Sequence, residues 1–161
     1  MLDSELLAAA VALLPQDRQP FSFCAAHAGL HADVYEPLHG HTFVVTLRLA
    51  GEPDDNGMVT DFGPVKSTLR RVIAPLRRRT LVAGRAADVD LSVPARVGFG
   101  DYVLPARAVT VLPVANTTTE AIAGHLIDQV LLHAPMPGLR WAELELAEAP
   151  DVSATVRRLR G

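Results

Sequence analysis

The amino-acid sequence predicts an α+β domain, and two kinds of pattern carry that prediction. Residues 42–49 and 141–148 alternate apolar and polar side chains, which is typical of half-buried β-strands. Residues 65–76 and 116–131 instead repeat their apolar side chains at helical spacing. With 161 residues, of which 49% are hydrophobic and 20% charged, the chain is long enough for one domain with a substantial core.

Charge and cysteine content narrow the class of protein. A formal net charge of −3, with acids and bases interspersed, gives no basic face for nucleic acid and no polybasic anchor for a membrane. Neither is therefore an expected partner. The single cysteine excludes an intrachain disulfide, so a cytoplasmic location is expected.

The first residues predict a helical extension. The apolar run at residues 6–14 follows Asp3 and Glu5, where a signal peptide would need positive charge. A short helix over residues 1–19 is expected instead, with residues 20–161 forming a single domain.

A group of histidines stands at the start of the first clear strand. His39 and His41 are two residues apart, so their side chains point to the same face. A preceding strand that ends at His27 would bring a third imidazole beside them if it returned as a hairpin. Neutral imidazoles bind Zn²⁺, and a catalytic zinc usually has three protein ligands. From spacing alone the alternative stays open that the two strand histidines are solvated and bind no metal.

The motifs around these histidines resemble those of a known family. Phe-x-Ala-Ala-His at residues 23–27, followed by His-Gly-His at residues 39–41, resembles the zinc-site signature of the 6-pyruvoyl-tetrahydropterin synthase family. That family includes the 6-carboxy-tetrahydropterin synthases of queuosine biosynthesis. The resemblance implies that His27, His39 and His41 bind catalytic Zn²⁺ and that the substrate is a pterin.

The resemblance also implies an architecture. It is the tunnelling fold, an antiparallel four-stranded sheet with two helices on one face, whose subunits join their sheets around a barrel. Exposed strand edges need a partner, so a homo-oligomer is expected, for which the resemblance suggests a hexamer.

The first helical segment both matches the family and departs from it. Residues 58–66 resemble the family's Met-Val-x-Asp-Phe-x-x-Leu-Lys segment, with Asp61 in register, although a plain N-cap would also explain Asp61. Farther on, Arg77 and Arg78 stand where the family has an Asp-His pair that transfers protons. A guanidinium stays protonated and cannot replace that base. The cluster of residues 77–79 could hold a phosphate or an acidic group, or could be a solvated helix end.

A segment at about residues 83–113 is longer than expected between the family motifs. Its short strand-like pieces and glycines predict an inserted hairpin or loop. Such an insertion could line the pocket or an oligomer contact.

The second helix begins with a polar run that has two interpretations. Residues 116–120 resemble the family's Asn-Pro-Thr-x-Glu segment, whose helix start contacts the pterin ring, with Thr117 at the proline position. The resemblance implies substrate contacts from Thr118, Thr119 and Glu120. N-capping of the helix is the alternative account of the same residues.

The last clear strand ends in a carboxylate. Glu148 shares a face with Leu144 and Leu146, and a carboxylate at the end of an apolar row is costly without a partner. The family places a glutamate at this strand end to bind the pterin N–H groups, so Glu148 is the fourth expected substrate residue. Glu143 and Glu145 point the other way and are expected to be solvated.

The loop before His39 carries the candidate catalytic residue. Better-known members have a cysteine four residues before the first histidine of His-Gly-His, where this chain has Tyr35. Cys24 is predicted to be a buried small residue on the opposite face from His27. Glu-x-x-His-Gly-His at residues 36–41 resembles a family branch that removes the side chain of dihydroneopterin triphosphate for folate synthesis. This implies Glu36 as catalytic base, against the alternative of an exposed loop residue.

Together these residues predict a zinc-dependent lyase that acts on the side chain of a dihydropterin. The alternative is a zinc- and pterin-binding paralogue without turnover, acting as a structural or regulatory subunit. The absence of both the loop cysteine and the Asp-His pair motivates that alternative.

Overall fold

The structure, a computed structural model, describes residues 9–13 and 21–160. Over these ranges the chain forms two α-helices, α1 (Phe62–Ile73) and α2 (Thr119–His133). It also forms eleven strands: β1 (Ala9–Leu13), β2 (Ser22–His27), β3 (Leu30–His31), β4 (Val34–Tyr35), β5 (His39–Gly51), β6 (Arg79–Ala83), β7 (Arg96–Phe99), β8 (Tyr102–Pro105), β9 (Val109–Leu112), β10 (Leu139–Ala149) and β11 (Val152–Leu159).

The main sheet is mixed and has seven strands. Its order is β11-β10-β5-β2-β6-β9, and β1 also pairs with β5. The pairs among β11, β10, β5 and β2 are antiparallel, whereas β6 pairs in parallel with both β2 and β9. The sheet is thus larger than the four-stranded antiparallel sheet that we expected. The parallel neighbours β2 and β6 are joined by a long connection that includes β5 and helix α1, as parallel pairing requires.

Strand β5 is the centre of this sheet. One of its edges pairs with β10, while the other edge is shared by β2 near His39 and by β1 near Gly51. The predicted N-terminal helix is therefore wrong for Ala9–Leu13, and the rest of that prediction lies outside the described residues. The edge of β5 beyond β2 offers hydrogen bonds to an extended chain, whereas a short isolated helix has little stability of its own.

Both helices begin with a side-chain cap, and both pack on the same core. Asp61 accepts a hydrogen bond from Gly63 N at 2.8 Å at the start of α1, and Thr118 accepts one from Ala121 N at 3.3 Å at the start of α2. The core they share with the sheet includes Phe43, Val45, Leu47, Leu69, Ile73, Leu126, Ile127, Leu144 and Leu146. Neither helix has the length and apolar character of a membrane span, over the part of the chain that the structure describes.

A second, smaller apolar cluster lies beside this core. It is built around Ala28, Val82, Val97 and Phe99, and it includes side chains from the loop before β5. The segment predicted as an insertion supplies much of it, through the antiparallel hairpin β7–β8.

Two predictions about the other face of the sheet need correction. Cys24 points away from His27, but it is exposed and not buried, because the helices pack on the opposite face. Glu143 and Glu145 are not simply solvated, since both form ion pairs with Arg48 at 3.4 and 3.0 Å. Arg157 adds a second ion pair to Glu143 at 2.7 Å.

Candidate functional site

Three imidazoles converge where β2 ends and β5 begins. His27 lies directly across from His39 in the antiparallel pair, and His41 follows on the same face. One potential ligand atom from each histidine lies within 4.8 Å of the other two. The structure therefore brings together the three histidines that the sequence predicts as metal ligands.

The orientation of His27 favours a metal ligand. Its Nδ1 atom lies 2.7 Å from the carbonyl oxygen of Thr117, so Nδ1–H donates and Nε2 keeps its lone pair. That Nε2 atom is buried and has no hydrogen-bond partner among the residues that the structure describes. Such a nitrogen is rarely left unpaired, and metal coordination would satisfy it. Burial is the main cause that lowers the pKa of His27 and so favours the neutral imidazole that binds metals.

The other two histidines complete a donor set. The Nδ1 atom of His39 lies 2.8 Å from the carbonyl oxygen of Pro37, which leaves Nε2 as its ligand atom. His41 is half-buried against the ring of Phe43, at 5.5 Å between ring centroids. Three histidine ligands are typical of a catalytic zinc centre, so the residues present fit Zn²⁺.

Glu36 lies in the connection between β4 and β5 and is half-buried. Its Oε1 atom accepts a hydrogen bond from Gly29 N at 2.6 Å, and its own N–H donates to Gly29 O at 2.9 Å. A Cβ atom on residue 29 would lie 2.6 Å from that Oε1 atom, so a larger residue there would displace the carboxylate. The Glu36 carboxylate also acts on His27, whose pKa it raises as the smallest of several causes. Glu36 is thus held beside the histidines and is not a freely exposed loop residue.

The start of α2 and the end of β10 contact each other through two of the predicted substrate residues. The buried hydroxyl of Thr119 donates a hydrogen bond to Oε2 of the half-buried Glu148. In the same strand, Leu146 lies opposite Val45, and both are fully buried. A register irregularity between Ala147 and Ala149 interrupts the alternation at Glu148, but the bond from Thr119 places its carboxylate on the side of the sheet that the helices cover.

The other two predicted substrate residues have different surroundings. The Thr118 side chain is the N-cap of α2. Glu120 is exposed in the first helical turn and lines a separate cleft with Arg85, His125 and Arg158. The structure brings together Thr119 and Glu148, but it does not bring Glu120 to them.

Two residues that the sequence analysis did not assign to the site hold its elements together. The Asn116 side chain accepts from Leu30 N and donates to Leu30 O, both at 2.9 Å. The Thr117 hydroxyl donates to Ala28 O at 3.0 Å. These bonds dock the loop after β2 onto the start of α2. The polar run itself was visible in the sequence, but nothing there indicated that the Thr117 carbonyl accepts from His27.

Two residues of the arginine cluster line a cleft near the start of β6. Arg78 and Arg79 are exposed in this cleft of about 550 Å³, which Cys24 and His41 also line. Cys24 is on the sheet face opposite the inward-pointing histidines, whereas Arg79 pairs with the inward-facing Ala25. A guanidinium stays protonated, so these arginines cannot replace the family's Asp-His pair as a proton-transferring base.

Comparison with known proteins gives one consistent result. The sequence profile of the 6-pyruvoyl tetrahydropterin synthase family matches residues 18–159. A Methanocaldococcus jannaschii protein, provisionally named 6-carboxy-5,6,7,8-tetrahydropterin synthase, is 23% identical over 145 residues, which are 84% of this chain and 89% of the relative.

Solved structures agree with that match. The crystal structure of 6-pyruvoyl tetrahydropterin synthase from Plasmodium vivax superposes with a TM-score of 0.84 at 26% identity, covering 95% of this chain and 99% of that one. A variant of the same enzyme, in which a catalytic glutamate is replaced by alanine, gives a TM-score of 0.83 at 25% identity with the same coverage.

Proposed function

Because the chain belongs to the 6-pyruvoyl tetrahydropterin synthase family, we propose that it is a zinc-dependent lyase acting on the side chain of a dihydropterin, with dihydroneopterin triphosphate as the substrate to test. The observation that carries this proposal is the cluster of three imidazoles with a buried, unpartnered His27 Nε2 atom and Glu36 beside it. Members of this family are lyases, which supports the reaction type.

His27, His39 and His41 would hold the metal through their ring nitrogens. When bound, Zn²⁺ supplies a Lewis acid that polarises an oxygen atom of the substrate side chain. The Thr117 and Pro37 carbonyls would keep two of the rings in the required tautomer and orientation.

Glu36 is the proposed general base. Its carboxylate would accept the proton of a side-chain hydroxyl, and the Gly29 N–H would hold that carboxylate in place. The adjacent carbon–carbon bond could then break, with its electron pair passing to the pterin ring. A glutamate is also the catalytic residue named in the Plasmodium vivax relative, which supports this role.

Glu148 and Thr119 are the proposed recognition pair for the pterin ring. The Glu148 carboxylate can accept two hydrogen bonds side by side, which matches the adjacent N–H groups of a pterin. The Thr119 hydroxyl would orient it by donating to Oε2. Thr118 and Glu120 flank Thr119 and remain proposed contacts, although Thr118 caps α2 and Glu120 lines a separate cleft.

A homo-oligomer is part of the proposal. In the described part of the chain β9 pairs only with β6, and β11 only with β10, so each strand leaves one edge for a partner. Light scattering on the purified protein measures the subunit number, for which six is the expectation from the family.

The decisive experiment is incubation of the purified, zinc-loaded protein with dihydroneopterin triphosphate, followed by mass spectrometry of the products. A shortened side chain is expected, and product length separates side-chain removal from a pyruvoyl or carboxy product. The His27/His39/His41 triple-alanine variant is the matched control.

A second candidate function is a zinc- and pterin-binding subunit without turnover. The observation that favours it is the exposed Arg78 at the position of the family's proton-transferring histidine, since a guanidinium cannot act as that base. Tight pterin binding without conversion of any dihydroneopterin derivative would support this candidate over the lyase.

A further inference from the structure

We propose that the segment of residues 83–113 positions the Glu36 loop, and that Tyr35, Asp88 and Tyr102 are positioning residues for the catalytic base. This inference rests on the proposed function only where it concerns catalysis. That hydrogen bonds from this segment fix the position of the loop is a separate structural claim, which can be tested by itself.

The first contact that positions the loop is made by Tyr35, the residue before Glu36. The Tyr35 hydroxyl donates to Asp88 Oδ1 at 2.9 Å, and the other Asp88 oxygen accepts from Gly100 N at 3.0 Å. One carboxylate thus links the loop to the turn of hairpin β7–β8. Burial, with a contribution from Asp88, raises the pKa of Tyr35 to about 12, so the hydroxyl remains a donor at neutral pH.

The second contact that positions the loop is made by Leu38, two residues after Glu36. The N–H of Leu38 donates to the hydroxyl oxygen of Tyr102 at 2.9 Å. Glu36 therefore lies between two points, Tyr35 and Leu38, that are both fixed by the same hairpin. Its carboxylate needs only the Gly29 N–H to complete the arrangement beside His27.

Packing supports these hydrogen bonds. The Phe99 ring lies between the two tyrosines, with centroid distances of 5.8 Å to Tyr35 and 5.3 Å to Tyr102. Gly100 has a φ of 49°, and a Cβ atom there would lie 2.6 Å from the Tyr35 ring. These rings belong to the small apolar cluster and not to the main core. The position of the loop therefore depends on the hairpin, and the overall fold depends on other residues.

This separation decides what a substitution should do. A net hydrogen bond contributes only modestly to stability, so loss of one should leave the domain folded. Catalysis is more sensitive, because a base displaced by about 1 Å can cost up to about 10²-fold in rate. Loss of these two hydrogen bonds should therefore reduce turnover without removing metal or substrate binding.

The experiment uses Tyr35→Phe, Tyr102→Phe and the double variant, which keep the rings and remove the hydroxyls. Turnover with the dihydropterin substrate should fall by about 10- to 100-fold in the double variant, while zinc content and pterin affinity stay at the parent values and the thermal midpoint falls by only about a few degrees. Val103→Thr is the control, since Val103 lies on the same hairpin and is 63% exposed. Turnover at the parent level in the double variant would overturn the proposal.

A second background shows whether the tyrosines act through Glu36. In a Glu36→Gln protein the tyrosine substitutions should cause no further loss, because positioning a residue that no longer accepts the proton has no effect. An equal loss in both backgrounds would mean a general structural role and would also overturn the proposal.

A wrong proposed function and a wrong positioning proposal would give different experimental results. A parent protein without turnover contradicts the lyase assignment, and hydrogen exchange then tests the positioning of the loop directly. The amides of Glu36 and Leu38 should exchange faster in the double variant than in the parent. Unchanged protection of both amides would overturn the inference whether or not the protein is an enzyme.

Discussion

The Nδ1 atom of His27 lies 2.7 Å from the carbonyl oxygen of Thr117, so a backbone group just before helix α2 orients an imidazole at the end of strand β2. The same residue donates its hydroxyl to Ala28 O, immediately after that histidine. Thr117 thus fixes both the ring and the chain that carries it. The candidate metal centre is therefore a property of the packed domain, because the sheet alone does not orient the ring.

Removal of a single histidine should abolish metal binding. His39→Ala or His41→Ala should lower the zinc content from about one per chain to near zero, since a site with two imidazoles binds the ion much more weakly. Elemental analysis after dialysis measures this content. His133→Ala, at the exposed end of α2, is the control and should keep its zinc. Full zinc content in the His27/His39/His41 triple-alanine protein would contradict the assignment.

Glu148→Gln should weaken pterin binding. The replacement keeps the shape of the side chain but loses the charge and turns one acceptor into a donor. A loss of about 1.5–3 kcal/mol is expected, the range for a hydrogen bond to a charged group. Calorimetry with dihydroneopterin measures it. Glu145→Gln, on the opposite face of the same strand, should leave the affinity unchanged, and equal affinities for all three proteins would assign Glu148 another role.

Glu36→Gln should separate binding from turnover. The amide oxygen can still accept from Gly29 N, so the loop should keep its position. A neutral amide cannot take up the proton, and turnover should fall by about 10²–10⁴, the usual scale for loss of a general base. Product formation and zinc content are measured on the same preparation. A variant as active as its parent would move the base elsewhere, with Asp61 the next residue to replace.

His125 should make the protein less stable in mild acid. Burial lowers the pKa of His125 below its ordinary value of 6.5, and Asp128 opposes this shift to a smaller extent. As the pH falls through that value, the unfolded chain takes up a proton that the folded chain does not, so the free energy of unfolding decreases. Urea denaturation at several pH values should show a shallower decrease for His125→Gln than for the parent. Identical decreases would mean that the pKa of His125 is the same in the folded and unfolded chain.

The parts of the fold that the sequence predicted are those governed by local pattern. The capped start of α2 and the alternation in β10 were visible because each depends on residues within one segment. Strand β6 was not foreseen, since its last three residues are buried apolar side chains without alternation. Strand β1 was mistaken for a helix because its partner is the distant half of β5, and no short window contains both.

In the candidate site, too, the side chains could be predicted from the sequence, whereas the backbone groups that orient them could not. Spacing and family resemblance predicted His27, His39, His41, Glu36 and Glu148 as site residues, and the structure places the first four of these close together near the end of β2 and the start of β5. What could not be predicted is the set of backbone groups that orient them, namely the Thr117 carbonyl and the Gly29 N–H. A backbone group has no signature in the sequence, and its role depends entirely on tertiary contacts.

The bond between His27 and Thr117 joins residues that are 90 positions apart in the chain, and it has a thermodynamic consequence. Since the oriented donor set does not exist in the unfolded chain, a bound metal shifts the folding equilibrium by mass action. At free zinc about 1,000 times the dissociation constant, this linkage would add about 4.1 kcal/mol to the free energy of unfolding. The metal would then act as a removable cross-link between the sheet and helix α2, and a chelator should lower the thermal midpoint of the whole domain.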